Sequence, residues 1–184
     1  MVAALSLYIS ASPEMDAECE LVGQALAQMS RTIHWTIKRT PSPGSMGDLD
    51  WAVLQNCELY LILLGMDVMA PMGVEYEMIK QRGVRCFAYL NRSATASPSA
   101  SYFGRHARAQ WNEYKTAHEF AQDFEQALIT ELIQGTPGYG LGLPEIESLS
   151  IRLREMKEDQ EEKPEGEDRR GAGSGGVILP SASY

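Results

Sequence analysis

Apolar residues follow two different spacings along this chain, and the two spacings alternate. Continuous or alternating apolar runs, typical of β-strands, occupy residues 3–10, 32–38, 58–65, 84–90 and, more briefly, 111–115. Between them, apolar positions recur at every third or fourth residue, which predicts helices over residues 14–29, 73–81 and 117–133 and a short helix over 48–56. Residues 91–101, rich in Ser, Ala and Thr, predict a long surface loop.

This alternation of strands and helices is typical of an α/β fold with a parallel sheet and helices on both faces. The run LYLILL within residues 58–65 is apolar on both sides of a strand, so we expect it at the centre of the sheet. With right-handed crossovers, about five strands favour the flavodoxin-like order 2-1-3-4-5.

The character of the chain changes after this α/β domain, which we assign to residues 1–134. Residues 135–162 predict a Gly- and Pro-rich linker followed by an amphipathic helix, and residues 163–184 predict a disordered acidic and Gly-rich tail with an apolar end. The amphipathic stretch from Glu145 to Met156 docks either on the domain or on a partner. The apolar end, Val177 to Leu179, is either a docking peptide or part of a plain tail.

Composition narrows the function classes. The chain has 184 residues and a net charge of −9 without a basic stripe, which argues against a nucleic-acid partner. No apolar run reaches the length of a membrane span, so we expect a cytoplasmic protein without a membrane partner. The three cysteines are far apart and predict buried thiols in a reducing compartment, and without a C-x-x-C spacing we expect no metal site.

Candidate chemistry gathers where strands one and three of the predicted sheet end. Ligands of open α/β sheets bind in the crevice outside the carboxyl ends of the strands, where the strand order reverses. The first strand brings Ser10 and Ser12 to this crevice, and the third brings Gly65 and Asp67. We therefore expect these four residues, together with Gly73 at the start of the following helix, to bind a substrate.

The predicted third helix begins at Gly73 beside the same crevice and carries two acids, Glu75 and Glu77. Two residues along a helix rotate a side chain by roughly 200°, so only one of the two can face the crevice. An acid near a helix N-terminus is also common because it complements the helix dipole.

Several segments together resemble the TIR-like domains of bacterial conflict and signalling proteins. These are YISAS at the first strand, Asp16 and Glu20 on the first helix, ELYLILLG, and GVEYEMIKQRGVRCFAYL. Such domains are similar in turn to nucleoside 2-deoxyribosyltransferases, whose G-T-x-x-E motif supplies the catalytic glutamate. The segment from Gly73 to Glu77 has that spacing, and the resemblance covers roughly residues 3–134.

The resemblance implies cleavage of an N-glycosidic bond in NAD or a related nucleotide, which would be a substrate rather than a cofactor. It implies that Glu77 is the catalytic carboxylate, with Glu75 as the alternate. A carboxylate beside the sugar stabilises an oxocarbenium-like transition state or attacks it. Ser10 and Ser12 would then contact ribose or phosphate, and Asp67 would orient a ribose hydroxyl.

A second hypothesis is a TIR-like interaction module without catalysis, acting by self-association or within a larger assembly. Where the family often has Gly-x-Tyr-Gly, this chain has a loop containing Met66, Met69 and Met72, which is more typical of an apolar contact surface. Leu21 also follows Glu20 where the family usually has an arginine. The sequence leaves the enzyme and the interaction module both open.

Overall fold

The structure is a computed structural model, and it describes residues 3–29, 33–39, 51–135 and 138–161. Five strands alternate with helices: β1 Ala3–Ala11, β2 Ile33–Arg39, β3 Leu59–Leu64, β4 Arg85–Asn91 and β5 Trp111–Tyr114. The helices are α1 Asp16–Gln28, α2 Trp51–Asn56, α3 Ala70–Arg82, α4 Pro98–His106, α5 Ala117–Gln134 and α6 Leu143–Glu161. A 3₁₀ turn, Pro13–Met15, joins β1 to α1.

The five strands form one parallel sheet in the order β2-β1-β3-β4-β5. This is the flavodoxin-like order that the alternation of strands and helices predicted, so the fold class is confirmed. Register places Tyr8 of β1 opposite Tyr60 of β3, and Ser10 opposite Ile62. All six residues of β3 are buried, as expected for a central strand covered on both faces.

Two hydrophobic layers cover the sheet. On one face, Leu7 and Ile9 of β1 pack with α1, α5 and α6 in a core that includes Phe120 and Phe124. On the other face, Tyr8 packs with side chains of α2 and α3. Since successive residues of a strand point to opposite faces, Tyr8 and Ser10 lie on the α3 side of β1.

The predicted starts of two helical regions were wrong, and in both cases a proline lies in the first turn of the observed helix. The predicted loop over residues 91–101 is wrong from residue 98 onwards, where α4 begins. Ser97 caps this helix, since its hydroxyl accepts a hydrogen bond from Ala100 N at 3.1 Å, and Pro98 lies in the first turn. Helix α3 begins at Ala70, three residues before Gly73, with Pro71 in its first turn. The polar composition of residues 91–101 concealed the start of α4, and the methionine-rich run before Gly73 concealed the start of α3.

The amphipathic stretch from Glu145 to Met156 packs on the domain. It lies within α6, where Leu149 is buried in the core beside α1 and α5, and Ile146, Leu153 and Met156 contact the same layer. Arg152 donates to the Glu125 carboxylate of α5 at 2.9 Å. The alternative docking segment, Val177 to Leu179, lies outside the described residues.

Among the described residues, no helix is long and apolar enough to cross a membrane. The same residues contain no group of three or more His, Cys, Asp or Glu side chains placed to hold a metal ion. Cys19, Cys57 and Cys86 are free thiols, of which Cys57 is buried and the other two are half-buried.

We predict opposite effects of alanine at two helical glycines. Gly83 ends α3 with a φ of +66°, so Gly83→Ala should destabilise the protein by about 1 kcal/mol. Gly23 lies inside α1 with open space where a Cβ would point, so Gly23→Ala should stabilise it by about 0.5–1 kcal/mol. Urea unfolding of both variants measures the two signs, and a stabilising Gly83→Ala would contradict the left-handed helix end.

The half-buried thiols of Cys19 and Cys86 should make the protein less stable at alkaline pH. Burial raises the pKa of Cys86 to about 12 and that of Cys19 to about 11, from 9.0. The native state therefore holds these protons more tightly, so the stabilisation is complete below pH 9 and is lost as the pH rises towards 11–12. Between pH 8 and 10, Cys86→Ala should lose about 1 kcal/mol less unfolding free energy than the wild type. Equal losses would show that the Cys86 thiol ionises as readily in the folded chain as in the unfolded one.

Candidate functional site

A buried carboxylate, Glu75, lies between α3 and the carboxyl-terminal half of β1. Its side chain is fully enclosed, with 0% exposed. Tyr8 donates its hydroxyl to Glu75 Oε1 at 2.8 Å, and Ser10 donates to Glu75 Oε2. Tyr60 of β3 donates in turn to Ser10 Oγ at 2.7 Å. Hydroxyl groups of two neighbouring strands therefore converge on one acid at the break in the strand order.

Helix geometry explains why Glu75 and not Glu77 is inside. The buried residues of α3 are Met72, Glu75, Tyr76 and Ile79, which share one helical stripe. Glu77 lies on the opposite side, where 56% of its side chain is exposed and it pairs with Lys80 at 3.5 Å. Of the two acids, the structure brings Glu75, the alternate, to the predicted crevice residue Ser10.

Burial also keeps the Tyr60 hydroxyl of this network protonated. The pKa of Tyr60 is raised well above its usual value, chiefly because burial disfavours the phenolate. Tyr60 is therefore a stable donor to Ser10 Oγ, and Ser10 in turn donates its hydroxyl to Glu75 Oε2. A carboxylate removed from water needs such charge-assisted hydrogen bonds, since an unpaired buried charge is strongly unfavourable.

Ser12 is buried at the end of β1, but its hydroxyl does not cap the turn that follows it. Among the described residues, neither Ser12 Oγ nor the buried Nε of Arg39 has a hydrogen-bond partner. Arg39, at the end of β2, donates through Nη2 to the Ser12 carbonyl at 3.1 Å and pairs through Nη1 with Asp16 at 2.5 Å. This edge of the sheet therefore holds two polar groups that make no hydrogen bond within the described residues. Each such buried group costs about 1–3 kcal/mol.

The loop after β3 is tied to its neighbours on both sides. Gly65 is buried under the Met15 side chain, whose Cε would lie 1.7 Å from a Cβ at position 65, so any other residue would displace it. Asp67 is exposed and accepts a hydrogen bond from Ser97 Oγ at 2.7 Å, and this bond lowers the Asp67 pKa. Gly73 faces Phe103 of α4. Of the predicted substrate-binding residues, only Ser10 belongs to the buried network, and Gly65 and Asp67 lie in this loop. Ser12 lies in the turn after β1, and Gly73 lies within α3.

Tyr8, Tyr60, Glu14 and Arg39 contribute to this region and were not among the predicted site residues. Two signals for the network are present in the sequence. Tyr8 and Ser10 are two apart on a strand, and Glu75 occupies the middle of an apolar stripe on α3. Both place a polar group where a hydrophobic one is expected, which marks a specific interaction.

Two cavities of about 470 Å³ in the described part of the chain lie away from Glu75. One is on the outer side of α1 and α5 beneath α6, and the other lies between β4, α4 and β5. Neither is lined by a residue that the sequence assigned to the crevice.

Comparison of the sequence with models of known protein families and with characterised proteins finds no match. The likeness to TIR-like domains therefore depends on the sequence motifs alone.

Removing the Tyr8 hydroxyl should weaken the fold through Glu75. Tyr8→Phe keeps the ring but removes one of the donors to the buried carboxylate, so we expect a loss of about 1–3 kcal/mol in unfolding free energy. The matched control is Tyr102→Phe, because 62% of Tyr102 is exposed, and we expect it to change stability by less than about 0.5 kcal/mol. Equal effects in urea unfolding would contradict a specific role for the Tyr8 hydroxyl.

Proposed function

We propose that this chain is a TIR-like, deoxyribosyltransferase-like domain that cleaves the N-glycosidic bond of NAD or a related nucleotide in bacterial defence or signalling. The observation that carries the proposal is the enclosed Glu75 carboxylate, held by Tyr8 and Ser10 where the strand order reverses. Open α/β sheets bind ligands at this position.

Glu75 suits the proposed chemistry because bond cleavage places positive charge on the sugar. A carboxylate oriented by hydrogen bonds can stabilise that charge or attack the anomeric carbon. In NAD the nicotinamide is cationic while bound and leaves as a neutral molecule. Cleavage therefore needs no strong general acid, which agrees with a site built around one carboxylate and hydroxyl groups.

Substrate must displace protein atoms to reach Glu75, because its side chain has no exposed surface. We propose that the loop between β3 and α3 moves when substrate binds. In that state Ser10 and Tyr8 would keep the carboxylate oriented while one of its oxygens turns to the sugar. Asp67, which is exposed, would then be available to a ribose hydroxyl.

A second candidate is an interaction module without catalysis, and the enclosure of Glu75 also favours it. In this reading, the hydrogen bonds of Glu75 attach α3 to β1 and have no further role. The contact surface would include Met66 and Val74, which are exposed apolar side chains beside the same loop. The protein would then act by self-association or as part of a larger assembly.

Nicotinamide release from NAD should separate the two candidates. Purified protein, both dilute and concentrated, is incubated with NAD alongside Glu75→Gln and Glu77→Gln. Removal of the charge at Glu75 should lower turnover by about 10²-fold or more, because the transition state loses its counter-charge. Glu77→Gln is the matched control on the same helix and should retain at least about half of the wild-type rate, since its side chain faces solvent.

Loss of activity in Glu77→Gln alone would return the catalytic role to Glu77. Turnover that survives both substitutions would remove the carboxylate mechanism. No turnover at any protein concentration would favour the interaction module, and sedimentation of the wild type over the same concentrations then measures self-association. Thermal unfolding of each variant verifies that it is folded, and Glu75→Asp provides a second variant that keeps the charge.

A further inference from the structure

The carboxylate of Glu14 accepts hydrogen bonds from two successive backbone amides just after β3. Met66 N donates to Glu14 Oε1 at 3.1 Å and Asp67 N donates to the same oxygen at 3.2 Å. Glu14 belongs to the 3₁₀ turn after β1, 52 residues away along the chain, and it is exposed. Successive backbone N–H groups that point at one oxygen form the kind of concavity in which proteins bind anions.

The neighbouring residue, Met15, covers the same strand end. Its side chain lies directly on Gly65, and Glu14 Oε1 lies 3.6 Å from the position that a Cβ of Gly65 would occupy. Glu14 and Met15 are therefore referred to as the plug. Met15 is buried in the core, and its sulphur accepts a hydrogen bond from the Tyr114 hydroxyl at 3.5 Å. Movement of the plug therefore requires the Met15 side chain to repack, which its flexible, unbranched chain permits.

Unsatisfied donors lie next to the plug. Ser12, 1% exposed, precedes it by two residues, and its hydroxyl has no partner among the described residues. The buried Arg39 Nε likewise lacks a partner there, and the Arg39 guanidinium contacts the Ser12 carbonyl. Because β2, β1 and β3 are parallel neighbours, their carboxyl ends bring these donors to the same edge as the Met66 and Asp67 amides.

We propose that this edge is a binding site for a phosphate group and that Glu14 holds it closed as an internal anion. On binding, the Glu14 carboxylate leaves the two amides and a phosphate oxygen accepts from them. The two anions repel one another, so the ligand replaces Glu14 and does not join it. Movement of Met15 with Glu14 uncovers Ser12, which gains a partner.

The inference deepens the proposed function and rests on it for the identity of the ligand as a nucleotide. Ser12 lies two residues beyond Ser10 on β1, a distance of about 7 Å along an extended strand. In a nucleotide, a ribose separates the phosphate from the glycosidic bond. A phosphate at the plug would thus accompany a glycosidic bond near Ser10 and Glu75.

The charges around the site favour exchange over simple addition. Arg39 is already paired with Asp16, and Asp67 carries its own carboxylate beside the amides. Removal of the Glu14 charge should therefore strengthen binding of an anion by freeing the amides and by removing a nearby like charge. A purely structural cap would give no gain in anion affinity when it is removed.

The test measures binding by calorimetry, without reference to turnover. The ligands are inorganic pyrophosphate, ADP-ribose and uncharged adenosine, and the proteins are wild type, Glu14→Ala and the charge-matched control Glu20→Ala. Glu20 is exposed on α1. We expect Glu14→Ala to bind pyrophosphate and ADP-ribose at least about tenfold more tightly than wild type, with adenosine unchanged and with Glu20→Ala like wild type.

Adding Ser12→Ala to Glu14→Ala should weaken pyrophosphate binding several-fold. Tighter binding of ADP-ribose than of pyrophosphate would assign the site to a nucleotide, and equal binding would assign it to a free phosphate group. The proposal is overturned if no variant binds either anion, or if Glu14→Ala and Glu20→Ala bind alike. Glu14→Gln, which keeps the side-chain length, serves if Glu14→Ala does not fold.

Failure of this site and failure of the glycosidase give different results. Tighter pyrophosphate binding by Glu14→Ala without any nicotinamide release retains the phosphate site and removes the enzyme. Nicotinamide release that depends on Glu75, with unchanged anion binding in Glu14→Ala, retains the enzyme and removes the plug.

Discussion

The hydrogen bonds between the buried Glu75 carboxylate and the hydroxyls of Tyr8 and Ser10 constrain the rest of the structure. A carboxylate without water is stable only when donors surround it, so α3 must present this residue to β1 and not another. That requirement fixes the rotation of α3, which in turn buries Tyr76 and Ile79 and leaves Glu77 in solvent. The same contact sets the position of the loop that leads from β3 into α3.

A second internal anion completes this arrangement at the end of β3. Glu14 supplies an oxygen to the amides of Met66 and Asp67, while Ser97 holds the Asp67 side chain from the other side. The loop is thereby attached both to the turn after β1 and to the start of α4. At the proposed phosphate site, the Glu14 carboxylate takes the hydrogen bonds that a ligand would need, so binding there would involve exchange.

Much of the fold followed from local pattern. Alternating strands and helices, one strand apolar on both faces, and right-handed crossovers together led to the observed strand order. Helix α4 was missed although Ser97-Pro98, like Ser12-Pro13 in the turn after β1, has the form of a helix start. The two dipeptides also differ in outcome, since the hydroxyl of Ser97 caps a helix and that of Ser12 does not.

By itself, the sequence determined the sheet order, and it showed that Glu75 and Glu77 point in opposite directions. These follow from periodicity, which depends only on neighbouring residues. Only the tertiary structure decided which acid is inside, because that depends on how α3 packs against strands far away along the chain. The contact of Glu14 with Met66 and Asp67 spans 52 and 53 residues. No local pattern encodes such a pairing, so it becomes visible only once β1 and β3 lie side by side.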